Sequence, residues 1–326
     1  MQSNILEKAL ETIGSFCVEE LTMTKHELAK YLNKIKQVFD LDELLRQEID
    51  QREVVDYYVQ SEAGYRFFHS SEGAIHLALN YDGKFDKEGY YGQAKIIQKH
   101  ITELCPQRVL ELGSGKGFNT IYLARKNKDV EFIGIDITHK YVKFAQTQSQ
   151  GLANLHFVLG DFHKLNFVDE SFDLVFEVES VCHAYDMSMV LSEIYRVLKP
   201  KGRFISFDGY RKAGFDQFDD KIKLTARLVE VAMAISRPWV IDDWLYLAQK
   251  IGFEILSVDE LSEAIMPNLL KFQRLAKGYF KFPILSRALL RILPPKLVKN
   301  SIAGLLMPFT IKAGAQGYYN IVLKRP

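Results

Sequence analysis

From about residue 89 onward the chain alternates between two hydrophobic periods. Short runs of apolar and β-branched residues at Arg108–Leu112, Glu131–Ile135, Leu155–Leu159, Phe172–Val178 and Gly202–Phe207 read as strands. Helical patterns over 89–104, from a glycine loop through Arg125, and near 138–149 and 186–198 separate them. That alternation predicts an α/β fold with a mainly parallel, doubly wound sheet. LKPKG at 198–202 is expected to end a helix at Pro200 and turn into the next strand. After a break at 209–240, DDWLYLAQKIGF reads as a helix stopped by Gly252. A sixth strand is expected at Phe253–Val258 and, beyond an insertion, a last one at Tyr318–Leu323. Ahead of this core, Lys25 to Glu48 carries Leu28, Leu32, Ile35, Phe39, Leu41, Leu44 and Leu45 at helical spacing. Tyr57 to Asp86, rich in Tyr, Phe, His and Gly, reads as loop and short helix. The expected organisation is a helical N-terminal cap and substrate segment (1–87), a Rossmann-like core (88–259), and a lid insertion with the final core strand (260–326).

Composition changes this picture little: 326 residues, 48% hydrophobic and 25% charged, describe a packed globular protein and exclude a disordered one. Cys17, Cys105 and Cys182 are odd in number and far apart, which points to a reducing compartment rather than a disulfide framework. MQSNILEKALETIG has no cationic start followed by an apolar stretch, so no secretory signal is expected. Charge is more informative. Residues 264–326 hold eleven Lys or Arg and no Asp or Glu, although the net charge of the whole chain is only +1. No apolar run there approaches the ~18–20 residues that span a bilayer. Apolar and cationic residues interleaved at helical spacing suit the surface of an anionic membrane, and equally a solvated helix packed on the acidic body of the same chain. Nucleic acid is disfavoured by the high aliphatic content and the lack of a binding module. The expected location is cytoplasmic or membrane-peripheral.

VLELGSGKGFNT (109–120) carries the main local signal: a strand feeding Glu111-x-Gly113-x-Gly115-x-Gly117 straight into a helix. Glycines there let the backbone turn tightly and approach a ligand. An acid ahead of the loop suits a cationic amino-acid group better than a phosphate. Asp136, nineteen residues after Gly117 at the next strand end, is placed to accept both hydroxyls of a ribose. Asp161 ends the third strand and is placed to accept from an adenine amino group. Each acid taken singly is also a reasonable helix N-cap, and glycines often only close a strand–helix turn. Together the constellation resembles the class I S-adenosylmethionine-dependent methyltransferases over residues 88–259 and the final strand. The resemblance implies S-adenosyl-L-methionine as cofactor. It places Glu111 and the three glycines at the methionine end, Asp136 at the ribose and Asp161 at the adenine, with Ile137, Phe162 and Glu177 completing the set.

A narrower resemblance follows the fourth strand. In FDLVFEVESVCHAYD (172–186), Glu179-x-x-Cys182-His183-Ala184 resembles the E-A-T-C-H-A-P segment of sterol C-methyltransferases, with Ser180 and Tyr185 departing from its Ala and Pro. Glu179-Ser180 is also similar to the E-S segment of geranyl diphosphate C-methyltransferase, in which the glutamate is the base. Tyr57-Tyr58 followed by HSSEGAIHLAL, and the closing LLMPFTIKAGAQGYYNIVLKRP, are similar to segments of the sterol enzymes. The implied activity is methyl transfer to a carbon of a hydrophobic, isoprenoid or sterol-like acceptor. Methylating an alkene creates a carbocation, so the site needs aromatic faces, exclusion of water and one base. Glu179 is the candidate base, His183 its orienting or relaying partner, and Tyr65 a catalytic hydroxyl. Tyr57, Tyr58, Phe67 and His76 are assigned to the acceptor. No carboxylate–histidine spacing suggests a metal. The rival readings are an O- or N-methyltransferase acting on a small metabolite or quinone, and a non-catalytic lipid- or cofactor-binding protein. Oligomeric state and the acceptor's identity stay open.

Overall fold

The computed structural model describes residues 24–326; Cys17 and the N-terminal segment lie outside the described residues. Seven strands form one sheet: β1 (Arg108–Leu112), β2 (Glu131–Asp136), β3 (Leu155–Leu159), β4 (Phe172–Val178), β5 (Leu198–Arg211), β6 (Glu254–Glu260) and β7 (Gln316–Lys324). Their order is β3-β2-β1-β4-β5-β7-β6. The first five run parallel, and β7 inserts antiparallel between β5 and β6. The order reverses between β1 and β4, so the loops leaving those strands open a crevice at the carboxyl edge, where α/β sheets bind ligands.

Side-chain alternation along each strand explains the layers. Val109, Phe132, Leu174, Phe176, Ile205 and Phe207 face α4 (Gly92–Leu104), α5 (Phe118–Lys126) and α6 (His139–Gln148). Leu110, Leu112, Ile133, Val175, Phe204 and Ile321 face α7 (Met187–Val197) and α9 (Ile241–Ile251), whose Trp244 is fully buried. Removing one such side chain from water contributes ~1.5–3 kcal/mol.

A third core lies away from the sheet. α1 (Lys25–Val38) and α2 (Leu41–Arg46) pack Leu28, Ile35, Phe39 and Leu44 against α8 (Asp220–Ala232), α10 (Ser262–Tyr279) and α12 (Pro295–Lys312). Between α10 and α12 lies the short α11 (Pro283–Leu289). The insertion is therefore a helical roof seated on the N-terminal helices.

Three sequence expectations are corrected. The break expected at 209–240 contains α8, capped by the Asp219 carboxylate accepting from the Lys221 amide. Its apolar face, Leu228, Val229 and Ala232, meets the roof helices rather than the sheet, so no strand–helix rhythm announces it. The segment from Tyr57 is loop only beyond His69: its first part completes α3 (Gln51–Gly64), which runs on as a π turn, Tyr65–His69. Finally, the helix before LKPKG ends at Val197, and β5 runs through Pro200 rather than starting after it.

Candidate active site

Two cavities meet at the crevice. The narrower, about 60 Å³, is lined by Gly113, Asp136, Ile137, Asp161, Phe162 and, from α3, Gln51. Gly113 has φ +62°, and a Cβ there would meet the Ser180 Cβ at 2.3 Å, so only glycine lets the loop close on the turn after β4. Gly115 (φ +53°) presses against Ile75, and its amide donates to Asp136 Oδ2 at 2.8 Å. Asp136 Oδ1 accepts from the Thr138 amide at 2.7 Å. Each carboxylate oxygen keeps a lone pair, and burial pushes this acid's pKa up. Asp161 is more heavily engaged. Its Oδ1 accepts from the His163 amide and Nδ1, and its Oδ2 accepts from Gln51 Nε2 at 2.7 Å. Although burial acts to raise its pKa, these hydrogen bonds, led by His163, hold it down at about 2.

Glu111, Gly115, Gly117 and Glu177 do not line this cavity. Glu111 is buried on the α5 face of β1, where Thr120 Oγ1 and Asn119 Nδ2 donate to it, and burial pushes its pKa up to about 8. It braces the start of α5 and so shapes the loop from behind. Glu177 lies on the opposite face: its Oε2 accepts from the amides of Ser180 and Val181 and its Oε1 from Ser206 Oγ. It fastens the turn that carries Glu179.

The larger cavity, about 500 Å³, lies under the roof. Tyr57, Tyr58, Tyr65, Phe68, Leu77, Phe272, Leu289 and Met307 give it a mostly apolar and aromatic wall. Tyr58, Ile75, Glu179 and His183 line both cavities and mark the junction.

Glu179 has φ +54°, rare for a residue with a side chain, and its amide donates to the Phe207 carbonyl at 2.8 Å. The Leu77 amide donates to its Oε1 at 2.7 Å. Burial pushes its pKa up to about 7, against the pull of that amide. His183 Nδ1 meets the Ala234 carbonyl at 3.0 Å and must donate there, so Nε2 is the acceptor, taking the Tyr58 hydroxyl at 2.9 Å. Burial lowers its pKa to about 4, leaving it neutral. The Tyr58 ring stands edge-on to Tyr57, centroids 4.9 Å apart, and stacks on Tyr65 at 6.1 Å; the Tyr57 and Tyr65 hydroxyls are 2.8 Å apart.

Two residues assigned to the acceptor lie elsewhere. Phe67 is 54% exposed beneath Arg66, and its neighbour Phe68 faces the cavity instead. His76 is buried and donates from Nε2 to the Tyr90 carbonyl at 2.8 Å, outside both cavities. Its neighbours Ile75 and Leu77 are the residues that reach the site. Sequence reasoning also passed over Asp208, a buried wall carboxyl that accepts from the amides of Cys182 and Gly209. An acid near the carboxyl edge of a parallel strand was the available signal for it. Gln51 gave none, since only the folding of α3 across the strand ends brings it to Asp161.

Residues 106–260 match the family model described as a methyltransferase domain. That segment, a little under half of the chain, holds β1 to β6 and the loops at their carboxyl ends. The chain is similar to the methyltransferase phqN of Penicillium fellutanum, 30% identical over 158 residues that cover 48% of each chain. It is also similar to 24-methylenesterol C-methyltransferase 3 of Arabidopsis thaliana, 28% identical over 209 residues, 62% of this chain and 58% of the relative. The chain thus spans about half the length of these curated relatives. Among solved structures, the geranyl diphosphate C-methyltransferase of Streptomyces coelicolor A3(2) shares the fold with a TM-score of 0.61 at 12% identity, over 83% of this chain and 98% of that one.

Proposed function

We propose that this protein transfers a methyl group from S-adenosylmethionine to a carbon of a hydrophobic, isoprenoid or sterol-like acceptor. The observation that carries the reading is Glu179: a half-buried carboxyl, bonded to no cation among the described residues, standing where the cavity at the strand ends opens into the aromatic one. The donor set fits the cofactor. Asp136 has lone pairs for two ribose hydroxyls, and Gly113 lets the loop that lines the cavity close on the turn after β4. Asp161 and Phe162 suit an adenine edge and face, provided Gln51 yields the outer Asp161 oxygen. When bound, S-adenosylmethionine supplies an electrophilic methyl group.

The chain's own residues then have separable tasks. The rings of Tyr57, Tyr58 and Tyr65 present negative faces to positive charge on the acceptor. The apolar wall keeps out water that would quench it. Glu179, ionised, accepts the proton lost from the carbon beside the cation, and that C–H pair restores the double bond. His183, fixed as the neutral Nδ1–H form, orients Tyr58. On this reading the protein works at a membrane surface, where such acceptors reside, and the cationic stretch 264–326 holds it there.

The test is incubation with labelled S-adenosylmethionine and a panel of lipid extracts, followed by mass analysis of the product. A new carbon–methyl bond on an isoprenoid or sterol-like lipid is the expected outcome. A methyl recovered on oxygen or nitrogen overturns the reading in favour of heteroatom transfer.

A further inference from the structure

We infer that the stretch Phe282–Ile292, at α11 and the turn after it, is the surface that seats this protein on an anionic lipid bilayer with the mouth of the larger cavity against the membrane. The inference deepens the hydrophobic-acceptor reading and rests on it for the choice of a lipid partner.

Four large apolar side chains stand out of this one stretch: Ile284 is 90% exposed, Ile292 78%, Phe282 59% and Leu285 58%. Isolated exposed apolar residues are ordinary, but several within eleven positions mark an interaction surface. Phe282 and Leu285 also line the larger cavity, as do Leu289 and Leu293. The exposed patch and the cavity wall are therefore continuous through Phe282, Leu285, Leu289 and Leu293.

Charge selects the partner. Lys281, Arg287 and Arg291 are exposed in and beside the stretch, which contains no acid. α1, packed against α11, adds Lys30 and Lys34. Besides its own burial, the ammonium groups of Lys30 and Lys281 depress the Lys34 pKa, which shows how closely these cations crowd. Apolar side chains ringed by cations match the acyl boundary and headgroups of an anionic leaflet. A second copy of this chain is a poorer occupant, because two such patches would face each other with like charge. No helix among the described residues is long and apolar enough to cross a membrane, so the contact is peripheral.

The full chain is to be sedimented with phosphatidylcholine vesicles, with and without phosphatidylglycerol. Binding should require the anionic lipid and fall as salt rises, since surface attraction is screened over about 8 Å at physiological ionic strength. Ile284→Asp with Ile292→Asp, and separately Arg287→Glu with Arg291→Glu, should each reduce vesicle binding at least tenfold. Both double variants should still bind S-adenosylhomocysteine in calorimetry, which shows that they fold. Undiminished vesicle binding by both, or equal binding to neutral vesicles, overturns the inference. So does a change in oligomeric state on gel filtration with vesicle binding unaltered, which would make the patch an interface between copies. Methyl transfer is read separately. Wild-type protein that binds anionic vesicles doped with isoprenoid and sterol lipids but methylates no lipid in them removes the acceptor reading and leaves the docking surface standing.

Discussion

The narrow cavity at the strand ends and the aromatic cavity beneath the roof meet at Glu179, yet they are assembled by different means. The first is made almost wholly by consecutive strand–loop units of one sheet: Gly113 after β1, Asp136 closing β2, Asp161 after β3. Its groups sit on backbone that the sheet already fixes, and main-chain amides hold the Asp136 carboxylate in place. The second gathers α3, the extended segment around Leu77, the turn after β4, α8 and the roof helices, which are far apart in the chain. Its shape depends on the third core, and its polar groups are few. A rigid floor with a replaceable chamber is how one cofactor site serves different acceptors, because the chamber can vary without disturbing the floor.

The largest effect that tests this division is expected at the junction. Glu179→Gln should leave cofactor affinity within a few-fold and lower turnover by about 10²–10⁴, the usual contribution of a general base. The pH profile gives an independent reading. With its pKa near 7, the carboxyl is protonated and unable to accept a proton below that pH, so kcat/KM should rise with pH and level off above about 7. The acidic limb should vanish in the glutamine variant. The same raised pKa means that Glu179 favours the fold at low pH and that this contribution is lost as pH climbs from its unfolded value toward 7. An unchanged turnover and profile would leave Glu179 a residue of the turn and shift the chemistry to Asp208.

Asp136→Ala comes next and acts on the floor alone. Removing the acceptor of two ribose hydroxyls should weaken S-adenosylmethionine binding by about 1–3 kcal/mol in calorimetry, roughly 5- to 150-fold. Acceptor KM at saturating cofactor should hardly move. An equal loss in both would show that floor and chamber are one cooperative unit.

The floor was legible in the sequence because its strands are short apolar runs punctuated by glycines and acids, and because the acids act through side chains at strand ends. The chamber was only partly legible. The aromatic pair Tyr57 and Tyr58 lines the chamber as its sequence suggests, but Phe68 and not Phe67 is the wall residue, because a π turn rotates side chains away from ordinary helical spacing. His76 drew attention as a titratable group, whereas its neighbour Leu77 serves the site through a main-chain amide, which no side-chain pattern reports. α8 was missed because its apolar face answers to the roof. The three acids Glu111, Glu177 and Glu179 show the limit most sharply. All are strand or strand-end carboxyls, and only burial and partners separate two fully buried braces from a half-buried candidate base.

A smaller effect is expected inside the chamber from Tyr58→Phe. It deletes the donor to His183 Nε2 and leaves that buried nitrogen unpaired, which should lower stability by about 1–2 kcal/mol in thermal or denaturant unfolding. Cofactor affinity should be unchanged if floor and chamber are energetically separate, although the Tyr58 ring touches both cavities.

Gln51→Ala is the finest test, and its sign is informative. Gln51 comes from α3, the chamber's side, and its amide group holds the Asp161 oxygen that an adenine amino group would use. Cofactor binding must then break a protein hydrogen bond before forming its own. A net hydrogen bond is worth about 0.5–1.5 kcal/mol, and the displaced glutamine recovers part of that in water. The variant should therefore bind S-adenosylmethionine about two- to fivefold more tightly, with acceptor KM unaltered. Weaker binding would mean that Gln51 turns onto the cofactor and belongs to the floor. α3 would then link the two cavities, so that occupancy of one changes affinity at the other, a coupling measurable as a difference in cofactor Kd with and without acceptor.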